Sequence, residues 1–167
     1  MKYIVAILNS SLMSYYFKFA TAKSVRQMFP KIILNDLRKF PIKDCGAEEQ
    51  NKFIAEVDVV LLKNIELIDV NTKFLTLLKT AFPIEAISNK LNNWHELDWK
   101  TFVSELSKKK IKMTAEQEEK WLDRFNRMSA QAREIKQVID RTDKEIDQMV
   151  YKLYGLTEDE MKIVEQQ

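Results

Sequence analysis

The stretch TAEQEEKWLDRFNRMSAQAREIKQVIDRTDKEIDQMVYKLYG, residues 114–155, decides the fold class. Within it Trp121, Phe125, Met128, Ala132, Ile135, Ile139, Thr142, Ile146, Met149 and Leu153 alternate steps of four and three, and nine of these ten residues are apolar. That period lays one apolar seam along a helix of about 3.6 residues per turn. Thr114 and Gln117 have the spacing of a capping box, and Gly155 is placed just past the helix end, where a left-handed residue is easiest as glycine. Off the seam, Glu116 and Lys120, Asp123 and Arg127, Asp140 and Lys144, and Arg141 and Glu145 stand four apart, as on a solvated helix face. The spacing therefore predicts a single amphipathic helix over residues 115–153, on the order of 58 Å long. Thr157 and Glu160 form a further box that opens a last short helix.

A second long pattern precedes it. From Glu48 to Phe82, residues Phe53, Val57, Val60, Asn64, Leu67, Asn71, Phe74 and Leu78 make a comparable seam, with Leu61, Ile65, Ile68 and Leu75 widening the stripe so that more than one face is expected to be buried. Asn64 and Asn71 either fix the register of a partner helix or meet water where the stripe rotates. Pro83 either ends this helix or starts the next. Between the two seams, residues 84–110 read as two short helices. Asn93 and Glu96 have capping-box spacing, and Asp98 can cap a helix carrying Phe102, Val103 and Leu106. His95, between Trp94 and Trp99, reads as a packed structural residue. The lysines 108–110 and Lys112 fall at a helix end, where cations complement the dipole; phosphate contact is the other reading. Two seams of matched length with a compact connector predict a long antiparallel helical hairpin, a coiled-coil-like spacer.

The amino-terminal segment differs in charge. Residues 1–43 carry eight basic residues and one acid, Asp36, a net +7, whereas the remaining 124 carry −5. Such asymmetry suits a polyanion-facing head on a solvated body. Residues 3–19 read as one helix, with Tyr3, Ile7, Leu8, Leu12, Tyr15, Tyr16 and Phe19 on a broad face. Phe29 to Leu34 and Phe40-Pro41-Ile42 read as short extended pieces, with Asn35 or Asp36 able to cap a turn between them. Asp44-Cys45-Gly46 is the strong turn signal and coincides with the charge boundary. The expected organisation is a small α+β head over residues 1–44 and a helical body over 45–167, in a mainly α chain.

Composition removes most chemistry. The chain has two glycines, three prolines, one cysteine and one histidine in 167 residues. Average usage of glycine and proline is near ~7% and ~5%, so a glycine-rich phosphate loop or a loop-rich β fold is excluded. A lone Cys45 and a lone His95 leave no disulfide framework and no zinc site. The carboxylates lie in helical stretches among lysines and arginines, with no paired acid/base arrangement. No cofactor, metal or catalytic role is expected. No apolar run approaches the ~18 residues of a membrane span, and Asn9, Ser10 and Ser11 interrupt the first apolar stretch too early for a signal peptide. The expected location is the cytoplasm.

Leu8-Asn9-Ser10, the basic loop Ala22-Lys23-Ser24-Val25-Arg26, Ile33 to Leu37, Phe40-Pro41-Ile42 and then Glu49-Gln50 with Ile54 resemble the end of a target recognition domain and its following spacer helix in restriction-modification specificity proteins. These are the type I specificity subunits and the TaqI-like carboxyl-terminal specificity region of type IIG methyltransferase-endonucleases. Lys108 to Lys112, Glu116 to Glu119 and the run Thr142 to Thr157 resemble the closing helix of the fused enzymes. The resemblance is weakest at 44–48, with Asp44-Cys45-Gly46-Ala47 where the family it resembles usually has a proline-rich link.

The resemblance implies a noncatalytic DNA-specificity and spacer module, a fragment or truncated relative, that acts on double-stranded DNA together with a DNA methyltransferase or endonuclease. It implies Lys23, Ser24, Arg26 and Lys31 as the first DNA-contact candidates and Arg38 and Lys39 as further ones, with phosphate contact favoured over base readout. Trp121, Phe125, Ile135, Ile139 and Ile146 are the helix-pairing candidates, and their seam also allows self-association. The alternative is a helical interaction module that docks on a partner protein without DNA binding of its own.

Overall fold

The computed structural model describes residues 1–20 and 38–166 of the chain. Among them the chain is mainly helical: α1 Lys2–Asn9, α2 Ser11–Ala20, α3 Ala47–Ala81, α4 Asn89–Asn92, a single 3-10 turn Trp94–Glu96, α5 Trp99–Lys108, α6 Ala115–Tyr154 and α7 Glu158–Glu165. No strand occurs among the described residues. The expected strand at Phe29 to Leu34 and the cap at Asn35 or Asp36 lie outside them, and Phe40 to Gly46 runs as an irregular strap. The chain divides into two compact units, residues 1–60 with 140–167, and residues 61–139.

Helix ends follow the local chemistry. The Thr114 amide donates to Gln117 Oε1 at 3.0 Å and the Gln117 amide to Thr114 Oγ1 at 3.2 Å, so the reciprocal box closes the start of α6. Thr157 and Glu160 do the same for α7. Asp98 caps α5 through the Thr101 amide at 2.6 Å, and that bond holds the Asp98 carboxyl below its usual range. Asn93 does not act as a side-chain cap. Ser88 instead accepts from the Leu91 amide and starts α4, so Asn93 falls at the end of that turn, where its backbone amide closes on the Asn89 and Lys90 carbonyls.

The expected single helix over 3–19 is broken at Ser10, whose backbone is extended. Ser10 Oγ donates to the Ile7 carbonyl at 2.7 Å and accepts from the Met13 amide at 3.3 Å. One hydroxyl thus ends α1 and opens α2, a competition that serine enters readily. Asp147 fixes the break by accepting from both the amide and the hydroxyl of Ser11, at 2.7 and 2.6 Å.

Two helices end in the same six-to-one closure with different residues. At α6, Gly155 has φ +74°, its amide reaches the Lys152 carbonyl at 3.2 Å and Leu156 reaches Tyr151 at 3.0 Å. At α5 the equivalent position is Lys110, φ +63°, with Lys110 bonded to Ser107 at 2.9 Å and Ile111 to Leu106 at 3.2 Å. Ile111 and Leu106 are both buried, which supplies the apolar contact usual in this motif. A lysine there pays the steric cost of the left-handed region that glycine avoids. Lys110→Gly is expected to stabilise the chain by about 0.5–1 kcal/mol, read as a raised urea midpoint at constant slope.

The first unit has a core of Tyr3, Ile7, Met13, Phe40, Phe53, Val57, Ile146 and Val150. The Tyr3 ring meets Phe53 edge-on at 5.3 Å, and Tyr16 meets Phe40 at 5.7 Å. The second unit is centred on Phe74, which stacks on Trp94 with centroids 3.6 Å apart and touches Phe102, Trp121 and Phe125. Along α6 the expected seam is buried from Trp121 to Ile146, but at its end Val150 and Tyr151 are buried in place of Met149 and Leu153. A straight helix drifts about 20° per heptad against a strict seven-residue repeat, and four heptads suffice to move the stripe by almost one position.

On α3 the widened stripe is not buried. Leu61, Ile65 and Ile68 are 47%, 60% and 62% exposed, because the packing of the second unit covers only the side that carries Phe74 and Leu78. Asn64 is exposed, and Asn71 accepts the Trp94 indole N–H at 2.7 Å, so this asparagine anchors a connector tryptophan.

Candidate functional site

Of the DNA-contact candidates, Arg38 and Lys39 are exposed in the turn that leads into the strap; Lys23, Ser24, Arg26 and Lys31 lie outside the described residues. The strap itself is gripped by two tyrosines. Tyr154, in the last turn of α6, donates to the Pro41 carbonyl at 2.5 Å and accepts from the Lys43 amide at 2.9 Å. Tyr3 on α1 donates to the Lys43 carbonyl. Burial, with the Cys45 thiol next in weight, pushes the Tyr3 hydroxyl far above its usual range, so it remains a donor at any ordinary pH. Phe40 buries its ring under Tyr16 and Phe17, and Gln50 on α3 donates to Asp44 and to the Cys45 carbonyl. The end of the basic head is therefore fastened to both long helices within one unit. Neither tyrosine carries a sequence signal for this role, since each bonds to backbone.

The helix-pairing candidates Trp121, Phe125, Ile135, Ile139 and Ile146 are all buried within the chain's own fold, at 2–9% exposure. Their burial stabilises the chain itself, and the apolar surface left to a partner is elsewhere. The connector is held by Arg133, whose Nε and Nη2 donate to the carbonyls of His95 and Leu97, both at 2.8 Å. This fork matches two adjacent carbonyls as it would a carboxylate, and nothing in the sequence marks it.

His95 is a packed residue, 7% exposed, and its Nδ1 is buried with no partner among the described residues. Burial holds its pKa below the usual histidine value; Glu96 opposes this, while Arg133 and Lys136 add to it. The folded state therefore favours neutral imidazole, and the unfolded state binds more protons below a pH of about 6.5. His95 contributes stability that is complete above that pH and is lost as pH falls toward its folded value. Melting temperatures at pH 8, 6.5 and 5 are expected to fall more steeply for the wild type than for His95→Gln.

The lysine run is partly used internally. Lys108 Nζ lies 2.6 Å from the largely buried Glu105 carboxylate, a contact that holds this carboxyl below its usual range, and Lys90 stands 4.0 Å from the same group. Lys109, Lys110 and Lys112 are exposed. Of the expected pairs on α6, Glu116 and Lys120 meet at 2.6 Å and Arg141 and Glu145 at 3.8 Å. Arg127 does not pair with Asp123; it lines a groove of the second unit with Lys73 and Arg124. No group of three His, Cys, Asp or Glu side chains suited to a metal occurs among the described residues. No helix among them is long and apolar enough to cross a membrane.

Two family models match the chain in succession. Residues 1–42 match the TaqI-like C-terminal specificity domain. Residues 46–150 match a model described as Domain of unknown function (DUF8810). No curated protein and no solved structure is significantly similar to the chain.

Proposed function

Because this chain belongs to the DUF8810 family and begins with a segment similar to a TaqI-like specificity domain, we propose that it is a noncatalytic DNA-specificity and spacer module of a restriction-modification system. The observation that carries this reading is the coincidence of the specificity match, residues 1–42, with the +7 segment, residues 1–43. The head, residues 1–44, contacts duplex DNA through Lys23, Ser24, Arg26 and Lys31, with Arg38 and Lys39 beside the strap. Flexible point charges favour phosphate over base contact for the lysines.

The body, residues 45–167, serves as spacer and docking region for a DNA methyltransferase or endonuclease. In this reading α3 and α6 form an antiparallel hairpin. Supporting it, Phe82 meets Trp121 and Phe74 meets Phe125 in one unit, so the partners run in opposite sequence directions. The grip of Tyr3 and Tyr154 on the strap would transmit the position of the head to that spacer.

The test is duplex DNA binding by fluorescence anisotropy over a salt series. The logarithm of the binding constant is expected to fall linearly with the logarithm of salt, and Lys23→Ala with Arg26→Ala should reduce the slope by about 1.8, at ~0.9 per phosphate contact. An unchanged slope would remove the loop from the interface. A chain with no DNA affinity that still captures a protein partner would support the second reading, a helical interaction module, which the exposed Leu61, Leu62, Ile65 and Ile68 favour.

A further inference from the structure

We propose that the second unit carries a docking surface for an acidic amphipathic helix of a partner protein, formed by the groove at Lys73, Arg124 and Arg127 together with the exposed apolar stripe of α3. The inference deepens the docking half of the reading above and rests on it.

The groove encloses about 650 Å³, with Val70, Leu77 and Met128 as its apolar lining. Three cations surround it, and Asp69 is the one carboxylate that lines it. None of the three has a carboxylate within ion-pair distance among the described residues, although Lys120 and Arg141 on the same α6 do. Arg124 lies over the Trp121 ring at 5.0 Å, which orients its guanidinium and leaves the charge unneutralised. An unpaired arginine pair and a lysine around an apolar floor favour a ligand that brings carboxylates and apolar side chains at once.

The apolar half of the surface continues along α3. Ile65, Asp69 and Lys73 are spaced by four and share a helix face, with Leu62 in line one turn earlier and Leu61 and Ile68 at its edge. Leu61, Leu62, Ile65 and Ile68 are 47–62% exposed, in a helix whose Phe74 and Leu78 are fully buried. A helix laid along this face would set apolar residues on Leu62 and Ile65 and carboxylates on the cations one to three turns further. DNA is the poorer fit, because a phosphate backbone would satisfy the charges and leave the leucines and isoleucines in water. A second copy of the chain is also poorer, because a face ringed by Lys73, Arg124 and Arg127 would meet its own charge in a self-complementary interface.

The test uses the full chain and three fluorescent probes: a synthetic amphipathic helix of leucine, alanine and glutamate heptads, the same peptide with lysine for glutamate, and a short DNA duplex. The glutamate peptide should bind, more weakly as salt rises, and the lysine peptide should bind at least ~10-fold less tightly. Arg124→Glu with Arg127→Glu should weaken the glutamate peptide at least ~10-fold, and Ile65→Ser should weaken it several-fold. Lys73→Glu, at an exposed position, gives the same reading if the double variant melts early. Failure of the glutamate peptide to bind, equal binding of both peptides, or indifference to every charge reversal would overturn the proposal. So would a duplex that loses affinity on reversal at 124 and 127 while the glutamate peptide does not. Since Lys23 and Arg26 are distant in sequence from Lys73, Arg124 and Arg127, their substitution tests the DNA reading separately and should leave peptide binding unchanged.

Discussion

Phe74→Ala is expected to cost the second unit about 3–5 kcal/mol, the largest effect of any single truncation there. Phe74 has no exposed surface, and its ring is the common neighbour of Trp94, Phe102, Trp121 and Phe125. Truncation removes the transfer energy of the ring, leaves a cavity between four rigid aromatic groups that cannot collapse into it, and forfeits the aromatic pair terms of about 0.5–1.5 kcal/mol each in part. The three tryptophans, Trp94, Trp99 and Trp121, all belong to this unit, so urea unfolding followed by indole fluorescence reports directly on it. A loss below about 1.5 kcal/mol would show that the ring cluster is not the core of the unit.

Phe53→Ala should be comparably damaging in the first unit, again about 3–5 kcal/mol. Phe53 is fully buried beside Val57, Ile146 and Val150 and takes the edge of the Tyr3 ring. That ring also positions the Tyr3 hydroxyl on the Lys43 carbonyl, so the truncation loosens the strap as well as the core. This unit contains no tryptophan, and its loss is best read by hydrogen exchange of amides in residues 40–60 and 140–154. Protection there should fall by at least two orders of magnitude, since about 1.4 kcal/mol is tenfold in an opening constant. Retained protection would mean that the Phe53 cavity is filled by neighbours.

The helical architecture was legible because its signals are local and repeated. The box at Thr114, the cap at Asp98, the Gly155 terminus and eight seam positions from Trp121 to Ile146 are found where periodicity and capping chemistry put them. What escaped has definite physical causes. Asn93 has the right spacing for a box, but Ser88 nucleates the turn earlier. Lys110 takes a glycine position, since the six-to-one bonds and the burial of Ile111 outweigh its strain. Leu61, Ile65 and Ile68 look like core on α3, yet periodicity states only which residues share a face and not whether that face is covered. The candidate site was less legible still. Tyr3, Tyr154 and Arg133 act on backbone groups far away in sequence, and the groove at Lys73, Arg124 and Arg127 is defined by partners these cations lack.

The tyrosine grip on Pro41 and Lys43 acts on main-chain groups alone, while the side chains of Phe40 and Asp44 hold the strap on either side of them. Pro41 and Lys43 are held by carbonyl and amide groups that every residue, or nearly every one, possesses. The constraint on composition thereby moves off these two residues and onto Tyr3 and Tyr154, tens of residues away. The link Asp44-Cys45-Gly46-Ala47 can then lead into α3 while the strap before it stays held by the two hydroxyls, and residues 41 and 43 can change for as long as those hydroxyls remain.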